Sequence, residues 1–223
     1  MLYRTLELTL APTLRALYRP VITGAQHVPA SGPVILAANH ISFADEFFTP
    51  LAARRQVVYF AKAEYFTTPG LLGRTTAAVF TALGHVPVER SDTRAAASVI
   101  DIGVGVLREG RALGIFPEGT RSPDGRMYRF RTGVARVALR SGAPVIPVGL
   151  VGTREVQPPG ERRWHRASVG VHFGAPLYFG DRAADERSSR VLREVTETVR
   201  AAVQDLCGQQ YIDAYAKSAR ADP

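Results

Sequence analysis

Short apolar runs recur along the chain at 34–37, 57–60, 112–116 and 144–151, with Gly, Pro, Asn or charged residues close by at their ends. Runs this short, with no polar face, suit strands buried on both sides of a parallel sheet. Between them, apolar residues recur at helical spacing over 2–18, 46–53, 71–83, 93–109, 133–141 and 184–207. Shorter strand signals lie at 21–24, 84–90 and, by alternation, 168–173. Strand and helix signals alternate for most of the length. That pattern predicts an α/β fold: a single domain with a largely parallel central sheet flanked by helices.

No inter-domain linker, repeat or low-complexity tract interrupts the 223 residues, so residues 1–223 read as one domain. The N-terminal stretch 1–20 reads as a peripheral amphipathic helix, with Tyr3, Leu6, Leu10, Leu14 and Leu17 on one stripe and Pro12 expected to kink or divide it. Two roles are open to it: a cover for the domain core, or a helix lying on a bilayer surface beside Arg4, Arg15 and Arg19. Arg4 and Glu7 break the apolar stretch that a signal peptide needs, and no uncharged apolar window is long enough for a membrane span. The segment 208–223 reads as a polar, peripheral tail.

Charge narrows the partners. The chain carries 28 basic and 20 acidic residues, a net charge of +8, which favours anionic ligands or surfaces. No aromatic-basic or helix-turn-helix signature accompanies it, so nucleic acid is not expected. Cys207 is the only cysteine, which excludes an internal disulfide, makes a reducing compartment the default and reads as apolar filler. The five histidines show no zinc spacing, and no metal is expected.

Candidate chemistry lies just past the ends of the buried strands, where parallel sheets place their sites. The strand at 34–37 runs into Asn39 and His40, with Asp45 five positions after the histidine. An imidazole with a carboxylate within reach is a general base with an orienting partner. A plain turn or capping histidine is the competing reading. Lys62 ends the second strand, Arg90 the strand at 84–90. The strand at 112–116 leads into Pro117-Glu118-Gly119-Thr120-Arg121-Ser122 and a turn at 122–125. There a carboxylate able to meet a substrate hydroxyl, a glycine that lets backbone N–H groups approach a ligand, a hydroxyl and a phosphate-matching guanidinium arrive together. Phe47, Phe48, Tyr65, Phe66, Leu71 and Leu72, near Arg54, Arg55 and Arg74, read either as core or as an acyl or headgroup surface. The basic tip 161–166, with its tryptophan, reads as a solvated loop end or a headgroup contact.

These blocks carry a resemblance. NHxxxxD over 39–45, the Gly84–Arg90 block, FPEGTRS over 116–122 and the Val145-Ile146-Pro147-Val148 block occur in the order found in glycerolipid acyltransferases of the 1-acylglycerol-3-phosphate O-acyltransferase (lysophosphatidate acyltransferase) type. The stretch from Lys62 to Pro69 also resembles that family, while Pro87 and Glu89 depart from it. The resemblance implies an acyltransferase of phospholipid biosynthesis with His40 as base and Asp45 as its partner. It implies a glycerol phosphate held by Arg90, Glu118, Gly119, Thr120 and Arg121, with Lys62 a further ligand and Pro147 on the acyl side. Direct transfer without an acyl-enzyme, from acyl-CoA or acyl carrier protein as donor substrate and with no cofactor, would follow. The oxyanion would be steadied near Gly119. The implied partners are a lysophospholipid and an anionic membrane surface, the location the cytoplasmic face of a membrane, peripherally attached. Two other readings stay open: a thioester hydrolase in which His40 activates water, and a basic, non-enzymatic binding module.

Overall fold

The computed structural model describes residues 2–88, 93–161 and 163–216. Helix α1 (Leu2–Tyr18) leads to the edge strand β1 (Val21–Thr23) and then to β2 (Val34–Ala38), every residue of which is buried. Helix α2 (Asp45–Ala53), strands β3 (Val57–Val58) and β4 (Phe60–Lys62), helices α3 (Glu64–Thr67) and α4 (Gly70–Ala82) and strand β5 (Val86–Val88) follow. The second half runs through α5 (Thr93–Arg108), β6 (Ala112–Ile115), β7 (Met127–Tyr128), α6 (Gly133–Ser141) and β8 (Val145–Val151). It closes with α7 (Thr153–Val156), β9 (Gly170–Phe173), α8 (Ser189–Cys207) and β10 (Tyr211–Ile212).

The main sheet has the order β1-β9-β8-β2-β6-β3. Strands β8, β2, β6 and β3 are parallel, so their carboxyl ends share one edge. Strand β9 is antiparallel to β8, and β1 pairs parallel with β9. The turn of direction at β9 was not legible in the alternating pattern; it follows because no helix longer than the single turn α7 separates β8 from β9 to carry the chain back across the sheet. A second parallel pair joins β4 to β5, and a third joins β10 to β7.

Strand β2 divides the core between the two faces, as its alternation requires. Val34, Leu36 and Ala38 pack with Leu14 of α1 and Phe48 of α2; Ile35 and Ala37 pack with Val104 of α5, Val134 of α6 and Val199 of α8. Helix α8 starts on a capping serine, Ser188, whose hydroxyl accepts from the Val191 N–H, and ends at Gly208 in the left-handed region (φ 68°).

Some of these expectations change, and others are decided. Pro12 neither divides α1 nor ends it, and the core-facing side of its second half is Leu10, Ala11, Leu14 and Tyr18, with Leu17 turned outward. The side chains of Tyr3, Leu6, Tyr65, Leu71 and Leu72 lie outside the described residues, whereas Phe48 is core and Phe66 packs on Phe80. At the basic tip, Trp164 rests against Phe47 and Tyr18 rather than in solvent. Finally, residues 209–216, the described part of the expected tail, are not loose. Met127 N–H donates to the Gln210 carbonyl, Arg129 N–H to that of Ala214, and Tyr211–Ile212 pair with Met127–Tyr128. Its short apolar pair, Tyr211-Ile212, is too brief to stand out as a strand signal. Among the described residues no helix is long and apolar enough to cross a membrane.

Candidate active site

The carboxyl end of β2 is extended by a side chain. Asn39 is fully buried; its Oδ1 accepts from the Leu150 N–H (2.7 Å) and its Nδ2 donates to the Leu150 carbonyl (2.9 Å). The carboxamide thus continues the β2–β8 ladder where the backbone has left it. That frees the main chain to turn and present His40. The His40 N–H donates to Glu118 Oε1 (3.1 Å), and its carbonyl accepts from the Ser122 N–H (2.7 Å). The peptide of the histidine is therefore clamped to the loop after β6.

The imidazole touches Asp45 as the spacing required. Nδ1 lies 2.9 Å from Asp45 Oδ2, with the histidine side chain 12% exposed and the aspartate fully buried. The same oxygen accepts the N–H groups of Ile41 (2.8 Å) and Ser42 (2.9 Å), and Oδ1 accepts the Thr153 hydroxyl. An ionised carboxylate can only accept, so it holds the ring proton on Nδ1 and leaves Nε2 as the basic nitrogen. One face of the ring stacks on Phe116 (centroids 3.8 Å apart, 11° between planes), and Phe116 stacks in turn on Tyr59 (5.3 Å). The ring is fixed in rotation by the carboxylate and in tilt by the phenyl plate.

The other expected residues divide. Arg121 is exposed on the loop after β6, one residue from the Ser122 amide that holds His40, and Thr120 is half-buried beside it. Gly119 sits at φ 79°, where a Cβ would come 2.8 Å from Arg131 Nε. Its N–H donates to the Phe116 carbonyl (3.0 Å). Glu118 is turned into the fold. It is fully buried, and its second oxygen accepts the Tyr128 N–H (2.9 Å), so the carboxylate is a brace between two loops. Pro147 is also interior: it is buried and pairs with Ala37 in mid-sheet. It is tolerated because its nitrogen faces β9 at the point where that ladder has ended, and only the Gly174 N–H meets it there, through the Pro147 carbonyl (2.9 Å). The backbone of Lys62 is in register with Val88 in the separate β4–β5 pair, while its side chain, and Arg90 altogether, lie outside the described residues. Cys207, its thiol pushed up to about 11 by burial, is no nucleophile.

Sequence reading missed Asn39 as a structural group, Thr153 and Phe116 as supports of the pair, and Ser122 as a clamp. One signal was available: Ser42-Phe43-Ala44-Asp45 has the serine-to-acid spacing of a local side-chain turn, and Asp45 does accept from the Ser42 N–H while the Ser42 hydroxyl accepts from the Ala44 N–H.

Burial raises the Glu118 carboxyl to about 7, against the lowering effect of the two amides it accepts. In the unfolded chain it ionises near its ordinary value of 4.5, so the folded state binds the extra proton between about 4.5 and 7. Stability from this group is therefore highest in acid and falls as pH rises through that window, by roughly 3 kcal/mol. His85, which burial lowers to about 4, acts in the opposite sense over nearly the same range. The effect is thus read as a difference: the stability advantage of the wild type over Glu118→Gln is expected to shrink by about that amount between pH 4.5 and 7 in urea titrations. A constant advantage would show that Glu118 is ionised throughout.

A sequence profile of the family described as Acyltransferase matches residues 19–151, more than half of the chain. A Brassica napus protein, 1-acyl-sn-glycerol-3-phosphate acyltransferase BAT2, is 30% identical over 178 residues, covering 78% of this chain and 50% of that protein. The Arabidopsis thaliana 1-acyl-sn-glycerol-3-phosphate acyltransferase LPAT1 is 33% identical over 163 residues, covering 72% of this chain and 44% of the relative. This chain thus spans about half the length of these curated relatives. Among solved structures, the 1-acyl-sn-glycerophosphate acyltransferase PlsC of Thermotoga maritima superposes with a TM-score of 0.70 at 25% identity, over 92% of this chain and 79% of that one.

Proposed function

The chain belongs to the acyltransferase family, of the lysophosphatidate acyltransferase type, and from that premise we propose that it transfers a fatty acyl group from a thioester donor to the sn-2 hydroxyl of 1-acylglycerol 3-phosphate, giving phosphatidate. The observation that carries the chemistry is the contact of His40 Nδ1 with Asp45 Oδ2 at 2.9 Å, at the open end of the central strand.

In this reading Nε2 of His40 removes the hydroxyl proton as the oxygen attacks the thioester carbonyl. Asp45 stabilises the imidazolium that forms. When the tetrahedral intermediate collapses, the carbon–sulfur bond breaks and the imidazolium returns the proton to the departing thiolate. No acyl-enzyme is formed, and the reactants and products balance without a cofactor. Acyl-CoA and acyl carrier protein both present the required thioester. Arg121, exposed beside the histidine clamp, binds the acceptor phosphate, with Lys62 and Arg90 proposed as its companions. The aromatic face of Phe43, Phe47, Phe66 and Phe80 offers the acyl chain an apolar bed next to α2. Peripheral attachment to the cytoplasmic face of an anionic membrane suits the net positive charge and the exposed Leu17 and Val21 beside Arg19.

The test is thiol release from a long-chain acyl-CoA and from an acyl carrier protein thioester, across a panel of lysolipids, with phosphatidate identified by mass. Release that needs lysophosphatidate supports transfer; equal release without any acceptor would make the protein a hydrolase. In the same assay Arg121→Ala is expected to raise the lysophosphatidate KM at least tenfold with little change in the donor KM, the scale of a lost charge-assisted phosphate contact. An unchanged acceptor KM removes Arg121 from the phosphate site.

A further inference from the structure

We propose that Gln209, in the segment after α8, is a positioning residue for His40; its kinetic consequences rest on the acyl transfer proposed above. The two hydrogens of the buried Asn39 amide go to different places: one to the Leu150 carbonyl, the other to Gln209 Oε1 (2.9 Å). Gln209 Nε2 donates to the Gly125 carbonyl. The Gly125 N–H donates to the Ser122 hydroxyl (2.9 Å), and the Ser122 N–H to the His40 carbonyl (2.7 Å). Asn39 precedes His40 directly, so the bonds form a closed ring around the histidine peptide, and Gln209 is the link that joins its two ends. The position needs an acceptor toward Asn39 and a donor toward a carbonyl, side by side; among side chains of this length a carboxamide supplies both.

Gln209 is itself held from both directions. On one side the end of α8 lies so close to β8 that a Cβ on Gly149 would come within 2.6 Å of Leu206 Cβ. On the other, the Gln210 carbonyl is bound by Met127 and the next two residues pair with β7. The segment therefore transmits the position of α8 and β7 to the loop that carries the base. Without the carboxamide, a buried Asn39 hydrogen has no acceptor, and the residue must shift to find one. Asp45 stays where α2 and Thr153 hold it, so the histidine moves relative to its carboxylate.

Gln209→Leu is expected to lower kcat about tenfold, with both KM values within about twofold of wild type, because small displacements of a catalytic group act on the chemical step. Gln209→Glu keeps the acceptor for Asn39 and loses only the donor to Gly125, so its kcat should fall between the two. Asp213→Asn, in the same segment but outside the ring, should match wild type, which separates positioning from general loosening of the segment. Independently of turnover, proton NMR of 15N-histidine-labelled protein should show the His40 Nδ1–H signal, identified by its loss in His40→Ala, displaced or broadened in Gln209→Leu. If that variant fails to fold, the same signal is read in Gln209→Glu. A kcat within twofold of wild type, or an unmoved His40 signal, overturns the proposal. Absence of transfer by the wild type would instead refute the activity, and the NMR signal would still decide the role of Gln209.

Discussion

His40→Ala is expected to reduce kcat at least a hundredfold while leaving the KM of the acyl donor nearly unchanged. The lower bound is the usual contribution of a positioned general base. The asymmetry follows from the geometry. The ring meets Asp45 at its edge and Phe116 on one face, and its removal leaves the loop still clamped by Glu118 and Ser122. The variant should therefore fold, which a thermal melt will verify. Steady-state rates with lysophosphatidate as acceptor then read the chemical step. Turnover within tenfold of wild type would remove His40 from the mechanism.

Asp45 should give an equally large effect, but only in one of two substitutions. Asp45→Ala deletes the acceptor of four donors, three on Oδ2 and one on Oδ1, and is expected to lower kcat by about a thousandfold or more, with a clear loss of stability. Asp45→Asn should be milder, on the order of tenfold to a hundredfold. The reason lies in which oxygen becomes the NH2 group. Two of the three donors to Oδ2 are backbone amides that cannot turn, whereas the single donor to Oδ1 is the Thr153 hydroxyl, which can rotate and accept. The asparagine will place its nitrogen toward Thr153 and keep its oxygen toward His40. The correct tautomer survives and only the charge that stabilises the imidazolium is lost. If the asparagine variant proves as inactive as alanine, the amide has turned the other way and forced the proton onto Nε2, the wrong-tautomer outcome known for an Asp→Asn change in a serine-protease triad.

The sequence revealed strands better than partners. Buried runs such as 34–37, 112–116 and 144–151 announce themselves because nothing polar interrupts them, and a carboxylate five residues past a strand-end histidine is a local relation readable by eye. The supports of that pair are not local. Thr153 and Gln209 reach the site across 108 and 170 residues respectively, to Asp45 and to Asn39, and no spacing rule encodes such distances. The burial of Glu118 is hidden for another reason. A carboxylate in a loop looks like a ligand group until its burial shows that backbone amides have claimed it. Pro147 is as opaque, since a proline within an apolar run does not reveal which side of the strand its missing donor faces.

The order of the sheet has a consequence for how the chain is made. Strand β2 lies between β6 and β8, so its neighbours are near residues 112 and 145, long after it in the sequence. While the ribosome works through the intervening stretch, an uncharged five-residue segment waits with both hydrogen-bonding edges open, the kind of segment that pairs readily with other chains. Such long-range pairing makes folding slow and late, so the nascent protein needs shielding until its second half emerges, and the base at the tip of β2 finds its place only then.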